Sequence, residues 1–171
     1  ELSIGFYNES DQILCKMNSD ETTCNNPTGM DLEKNVFYLS ANRLGFSEME
    51  TISPKYKVGI AGEYLFGTFE QEKSNPIEKE LLILSESETL SSHINYWLTY
   101  ILGIKFEMQT EKISQTKVKV VYKSDDLANL SPQQLGVGVS YLVKTLIMCL
   151  RAQKGDLLMI ENPELHLHPA A

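Results

Sequence analysis

The sequence predicts an α/β fold with a mixed sheet, and three stretches make the case. Leu157-Leu158-Met159-Ile160 is a short apolar run closed by Glu161 and a proline break at Pro163. That is the pattern of a buried strand whose carboxyl end delivers an acid to the edge of a parallel sheet, where ligands usually bind. Just before it, Val139, Leu142, Val143, Leu146, Ile147 and Leu150 recur at helical spacing and mark one apolar face. At the other end, residues 2–8 and 12–18 read as two strands around a polar turn at Glu9-Ser10-Asp11, an antiparallel β portion.

The intervening elements follow in order. Ser19 to Gly29 is rich in Ser, Thr, Asn and Asp and reads as a loop. Residues 36–40 form a third strand, apolar enough to be central. From Gly45 to Pro76, glycines and charges alternate with aromatics, which predicts irregular structure with a short helix near 61–70. Leu90, Ile94, Trp97, Leu98, Ile101 and Leu102 predict a helix over 86–102 that Ser87 can cap. Residues 104–109 and 117–123 alternate like a hairpin with its turn near Ser114. A polar lead-in from Asp125 to Gln134 then opens the last helix at Gly136-Val137-Gly138-Val139-Ser140. Arg151 and Lys154 suit its C-terminal dipole, and Gly155 can terminate it.

Composition sets limits on function. The 171 residues carry a net charge of −8, which argues against a chain coated in positive charge for nucleic acid or anionic membrane. No apolar run approaches the ~20 residues that span a bilayer. Cys15, Cys24 and Cys149 are an odd set without metal-ligand spacing; Cys149 reads as a packed thiol, and Cys15 with Cys24 could pair, though a reduced, cytoplasmic protein fits better. The chain begins without Met or a signal peptide and ends directly after a motif, so a piece of a larger protein is expected.

The chemistry concentrates at the end. A carboxylate closing a parallel strand is well placed to hold Mg²⁺ beside a nucleotide phosphate, which makes Glu161 the leading metal ligand, with Asn162 and Glu164 following it into a loop. Glu164, His166 and His168 offer an alternative, a zinc site, since alternation puts both imidazoles on one side of an extended segment. His93 stands far off in sequence and reads as an ordinary helix-face residue. Gly136 and Gly138 permit close backbone approach at a helix start, where free N–H groups favour an anion, and Ser140 adds a hydroxyl. A phosphate-binding loop needs Gly-Lys-Ser/Thr, and none of the ten glycines is followed by lysine. Any grip of that kind lies outside these residues.

Residues 136–169 resemble the C-terminal half of an ABC-type ATPase in the RecF, SMC and OLD-like branch, often described as bacterial AAA family ATPases. There, a helix beginning Gly-x-Gly-x-Ser precedes a strand ending Ile-Glu-x-Pro-Glu-x-His-Leu-His-Pro. Residues 37–45 also resemble a Leu-Ser-Ala-x-Arg segment of that group. The resemblance implies a partial P-loop NTPase-like fold in three parts: 1–45, the β-rich part of a first lobe; 46–125, a helical and hairpin insertion; and 126–171, the signature helix and Walker B strand. It implies ATP and Mg²⁺ as cofactors, with Glu161 in the Walker B acidic place. Gly136, Gly138 and Ser140 match the signature segment that touches the γ-phosphate held by the opposite protomer. His166 and His168 fall at the turn lining the dimer interface. Asn162 departs from the family pattern, which has a second acid there to polarise water; either Glu164 substitutes for it or the ATPase is slow and switch-like.

The expectation is therefore an ATP-binding and ATP-hydrolysing fragment of a homodimeric ATPase acting on DNA or an effector protein, in repair or anti-phage defence, with no membrane role. A non-hydrolysing regulatory module on the same scaffold and a zinc-dependent hydrolase are the alternatives.

Overall fold

A computed structural model describes residues 4–7, 13–17, 22–23, 35–45, 47–124 and 130–167. Contacts divide the chain into two units, Glu1–Val36 and Phe37–Ala171. In the first, β1 (Ile4–Tyr7) pairs antiparallel with β2 (Ile13–Met17), with an irregularity between Phe6 and Tyr7. A two-residue strand, β3 (Thr22–Thr23), adds to β2 inside the stretch expected to be a loop. The expected turn at residues 9–11 lies outside the described residues, as does Cys24.

The second unit is built from a parallel pair, an antiparallel sheet and helices. Strand β4 (Val36–Leu39) pairs with β8 (Leu157–Ile160), its one partner strand among the described residues. The antiparallel sheet has the order β5–β7–β6, from β5 (Met49–Thr51), β6 (Phe106–Lys112) and β7 (Lys117–Ser124). Strands β6 and β7 form the expected hairpin, and the Ile113 and Ser114 N–H groups close its turn on the Lys117 carbonyl. One face is apolar by alternation: Phe106 and Met108 on β6, then Val118, Val120 and Tyr122 on β7, are all buried. The other face alternates charges in register, with Glu107 opposite Lys123 and Glu111 opposite Lys119.

Three helices cover the buried face. Helix α1 (Leu65–Glu72) starts four residues later than the sequence suggests, and Gly67 lets it press onto β5. A Cβ there would stand 2.4 Å from the Thr51 carbonyl oxygen. Helix α2 (Leu90–Leu102) is capped by Thr89, whose hydroxyl accepts from the Ser92 N–H, rather than by Ser87. Ser87 is one step back in the same network, bonded to the Ser92 hydroxyl at 2.9 Å. Gly103, at φ 67°, ends α2 in the left-handed conformation. Asn95 and Thr99 of α2 meet the open edge of β6: Asn95 Oδ1 accepts the Met108 N–H at 2.9 Å, and Thr99 Oγ1 bonds both the N–H and the carbonyl of Phe106 at 3.2 Å. A helix side therefore takes up the edge groups that another strand would otherwise claim.

Helix α3 (Val137–Leu150) matches the expected last helix. Its end lies at Arg151, whose Nε pairs with Glu72 at 3.1 Å and whose guanidinium lies 4.8 Å over the Phe37 ring; Gly155, at φ 99°, serves the later turn into β8. Two expectations about burial are corrected. Leu157 is 40% exposed and Met159 42%, because α3 and its neighbours cover one face of β8 only. Cys149 is exposed, since it falls on the outer side of α3. His93 is also more than an ordinary helix-face residue. It is fully buried, its Nδ1 lies 3.0 Å from the Thr89 carbonyl, and its Nε2 accepts the Ile83 and Leu84 N–H groups at 3.3 and 3.4 Å. The ring proton therefore sits on Nδ1, and the ring pins the loop before α2. Among the described residues, no helix is long and apolar enough to cross a membrane.

Candidate functional site at the end of the parallel pair

Two loops leave the carboxyl ends of β4 and β8 side by side, and helix α3 lies against both. The ladder runs one residue beyond β8, with the Glu161 N–H donating to the Leu39 carbonyl at 3.0 Å. By strand alternation, Glu161 shares the outer face of β8 with Leu157 and Met159, the face on which Tyr38 stands on β4.

The Glu161 carboxylate is organised by the β4 loop. Its Oε1 accepts the Tyr38 hydroxyl at 2.7 Å, and its Oε2 accepts the Ala41 N–H at 2.9 Å and, more distantly, the Ser40 hydroxyl at 3.5 Å. The Ala41 N–H, then the Tyr38 and Ser40 hydroxyls, hold the carboxyl below its ordinary pKa, with Arg43 assisting. The same bond raises the Tyr38 phenol. Glu161 is thus ionised at neutral pH, exposed, and left with a free lone pair on Oε1. Those properties suit a Mg²⁺ ligand, because Mg²⁺ is held through one or two carboxylates and otherwise keeps its waters.

Arg43 ties the two loops together. Its Nη2 donates to the backbone carbonyls of both Glu161 and Asn162, the latter at 3.2 Å. Only 3% of the residue is exposed, and burial draws its pKa down against the opposing charges of Glu164 and Glu161. Helix α3 grips the same loop from below. The Tyr141 hydroxyl donates to the Arg43 carbonyl at 2.9 Å, and Lys144 Nζ, fully buried, donates to the Leu44 carbonyl at 2.9 Å. The Arg43 guanidinium lies 5.7 Å over the Tyr141 ring.

The β8 loop folds as two consecutive turns, Leu165 N–H to Asn162 carbonyl and Leu167 N–H to Glu164 carbonyl, both at 3.0 Å. Asn162 (φ 42°) and His166 (φ 63°) are both left-handed. Asparagine is among the residues that tolerate that region best. The His166 ring lies 5.4 Å from Tyr141, and its carbonyl presses on Gly138, where a Cβ would stand 2.3 Å from the oxygen.

The residues singled out in the sequence therefore separate. Glu161, Asn162, Glu164 and His166 share one exposed loop, and Gly138 touches it. Gly136 caps α3, and an added Cβ there would meet nothing within 4 Å among the described residues. Ser140 is 2% exposed and faces the core beside the Tyr122 phenol; its hydroxyl is not presented to an outside phosphate. His168 lies outside the described residues. Among those described, no group of three or more His, Cys, Asp or Glu side chains could hold a metal; the third residue of the zinc reading, His168, is not among them.

Tyr38, Tyr141 and Lys144 received no role from the sequence, and Arg43 stood out only as part of a short resemblance. One signal was available: Lys144 is the single charged residue in the fourteen of α3. No family model, curated protein or solved structure matches the chain.

Proposed function

We propose that the chain carries one half of a composite ATP site in an ABC-type, P-loop-like ATPase that dimerises around nucleotide. The observation that supports this best is the Glu161 carboxylate, ionised and exposed at the carboxyl end of a parallel strand, with its oxygens aimed by Tyr38, Ser40 and Ala41. Glu161 would hold Mg²⁺, and the metal would supply charge neutralisation on the nucleotide phosphates. Glu164, exposed in the next turn, is the nearest candidate to orient water. The start of α3 at Gly136 and Gly138 would face nucleotide held by a second copy. The phosphate grip must come from residues beyond these 171, because no Gly-Lys pair occurs among them. DNA or an effector protein is the proposed target of the dimer.

A second reading, a nucleotide-dependent switch with little turnover, is favoured by Asn162. It stands where a second acid would polarise water, in a left-handed conformation that asparagine tolerates. One experiment separates the readings: ATP turnover and ATP-dependent dimerisation of the intact protein, wild type beside Glu161→Gln. Turnover lost in the variant supports the ATPase. Equal, near-zero turnover with ATP-dependent dimerisation supports the switch. If neither turnover nor dimerisation responds to ATP, both readings fail.

A further inference from the structure

Arg43 is a buried cation, 3% exposed, at the junction of the two loops. Its Nη2 serves two carbonyls, but Nε and Nη1 are buried with no hydrogen-bond partner among the described residues. A buried donor left unpaired costs free energy that a paired one does not. A buried ionic network is weak evidence for stability, because well-packed apolar residues replacing the whole of it often cost nothing. The contacts of Arg43 give it a role in geometry as well. The guanidinium holds the carbonyls of residues 161 and 162, so it fixes the start of the β8 loop. Its own backbone belongs to the β4 loop, whose Ala41 N–H and Ser40 hydroxyl orient the Glu161 carboxylate. The Tyr141 hydroxyl anchors that backbone to α3, and Lys144, one helical turn on, anchors the next carbonyl.

We infer that Arg43 is a positioning residue: it holds the Glu161 carboxylate in register with the β4 loop, and through Tyr141 it couples that register to helix α3. The functional weight of this coupling rests on the nucleotide-site reading. In that reading, one protomer's α3 faces the nucleotide held by its partner while Glu161 serves its own. The chain Tyr141–Arg43–Glu161 then links the two composite sites within a single subunit. A shift of α3 on engaging the partner's nucleotide moves the Arg43 carbonyl, and with it the loop that aims Glu161.

The test uses the Ala41 backbone amide as a local reporter, because its proton is donated to Glu161. In ¹H–¹⁵N spectra of the whole chain, Glu161→Gln defines the amide shift of the perturbed contact, and the wild type defines the intact one. Arg43→Met is expected to move the Ala41 amide most of the way to the Glu161→Gln position while Tm changes little. Arg43→Lys, which can still donate to a carbonyl, should recover about half of the shift. Tyr141→Phe keeps the ring and touches neither Glu161 nor Ala41, yet should move the amide in the same direction. It also carries the test if Arg43→Met fails to fold. An Ala41 amide at its wild-type position in both Tyr141→Phe and Arg43→Met, or in Tyr141→Phe alone if Arg43→Met does not fold, overturns the inference, whatever happens to Tm. ATP-dependent dimerisation measured on the same variants separates the two claims: an amide that responds in a protein indifferent to ATP preserves the positioning role and rejects the nucleotide site.

Discussion

Glu50 should make the protein more stable when it is replaced by its uncharged counterpart. It lies on β5 opposite Val118, is only 5% exposed, and its Oε1 is buried with no partner among the described residues. Burial raises its pKa from 4.5 to about 6, against the pull of Lys144 on α3 and Lys117 on β7, while Tyr122 faces it as a neutral phenol. A carboxyl whose folded pKa is raised contributes stability that is complete below its unfolded pKa and is lost as pH rises through about 6. A shift of about 1.5 units corresponds to ~2 kcal/mol, of which about 1 kcal/mol falls between pH 8 and pH 5. Glu50→Gln keeps the side chain neutral throughout and removes this dependence. Part of the gain is offset because buried Lys144, whose pKa burial lowers, loses a nearby anion. The assay is urea unfolding of both proteins at pH 5 and pH 8. The variant's stability relative to wild type should be higher at pH 8 than at pH 5 by about 1 kcal/mol. A variant that is worse off at pH 8 than at pH 5 would refute the reasoning, because it would make Glu50 first of all the counter-ion of Lys144.

Three further outcomes follow from close contacts. Gly138→Ala should lose about 2 kcal/mol in chemical denaturation, since the His166 carbonyl must retreat, whereas Gly136→Ala, whose Cβ meets none of the described residues, should stay within about 0.5 kcal/mol of wild type. His93→Leu should cost about 2 kcal/mol or more, because it strands the Ile83 and Leu84 N–H groups in a buried setting; a Tm within a degree of wild type would contradict that. Tyr38→Phe removes a hydrogen bond to the ionised form of Glu161, so the carboxyl should titrate at a higher pH when followed by side-chain carbon NMR.

The helix over 90–102, the β6–β7 hairpin and the helix 137–150 were legible because each buries a face, and burial imposes its period on the sequence. What the sequence did not show depended on geometry without a period. The cap of α2 fell to Thr89 rather than Ser87 because backbone direction, not residue type, chose between two hydroxyl residues. The half-exposed state of β8 was invisible, since an apolar run reads the same whether one face or both are covered. In the site, Glu161 was legible from the strand that ends in it. Tyr38, Arg43 and Tyr141 were not, because they meet it from separations of about a hundred residues or more, or through one another, where no local spacing operates. Ser140 misled for a related reason: a hydroxyl at a helix start looks available, but the helix phase turns it toward Tyr122.

Lys144 gives the folded protein a built-in clock. Its amine is fully buried and held by the Leu44 carbonyl, so an acylating reagent in solution can reach it only when α3 parts from the β4 loop. Labelling at Lys144, read by peptide mass against an exposed amine such as that of Lys105, would therefore report the frequency of that opening under native conditions. A compound or partner that closes the loops around Glu161 would slow this reaction, and it could be recognised by that slowing before its own chemistry is known.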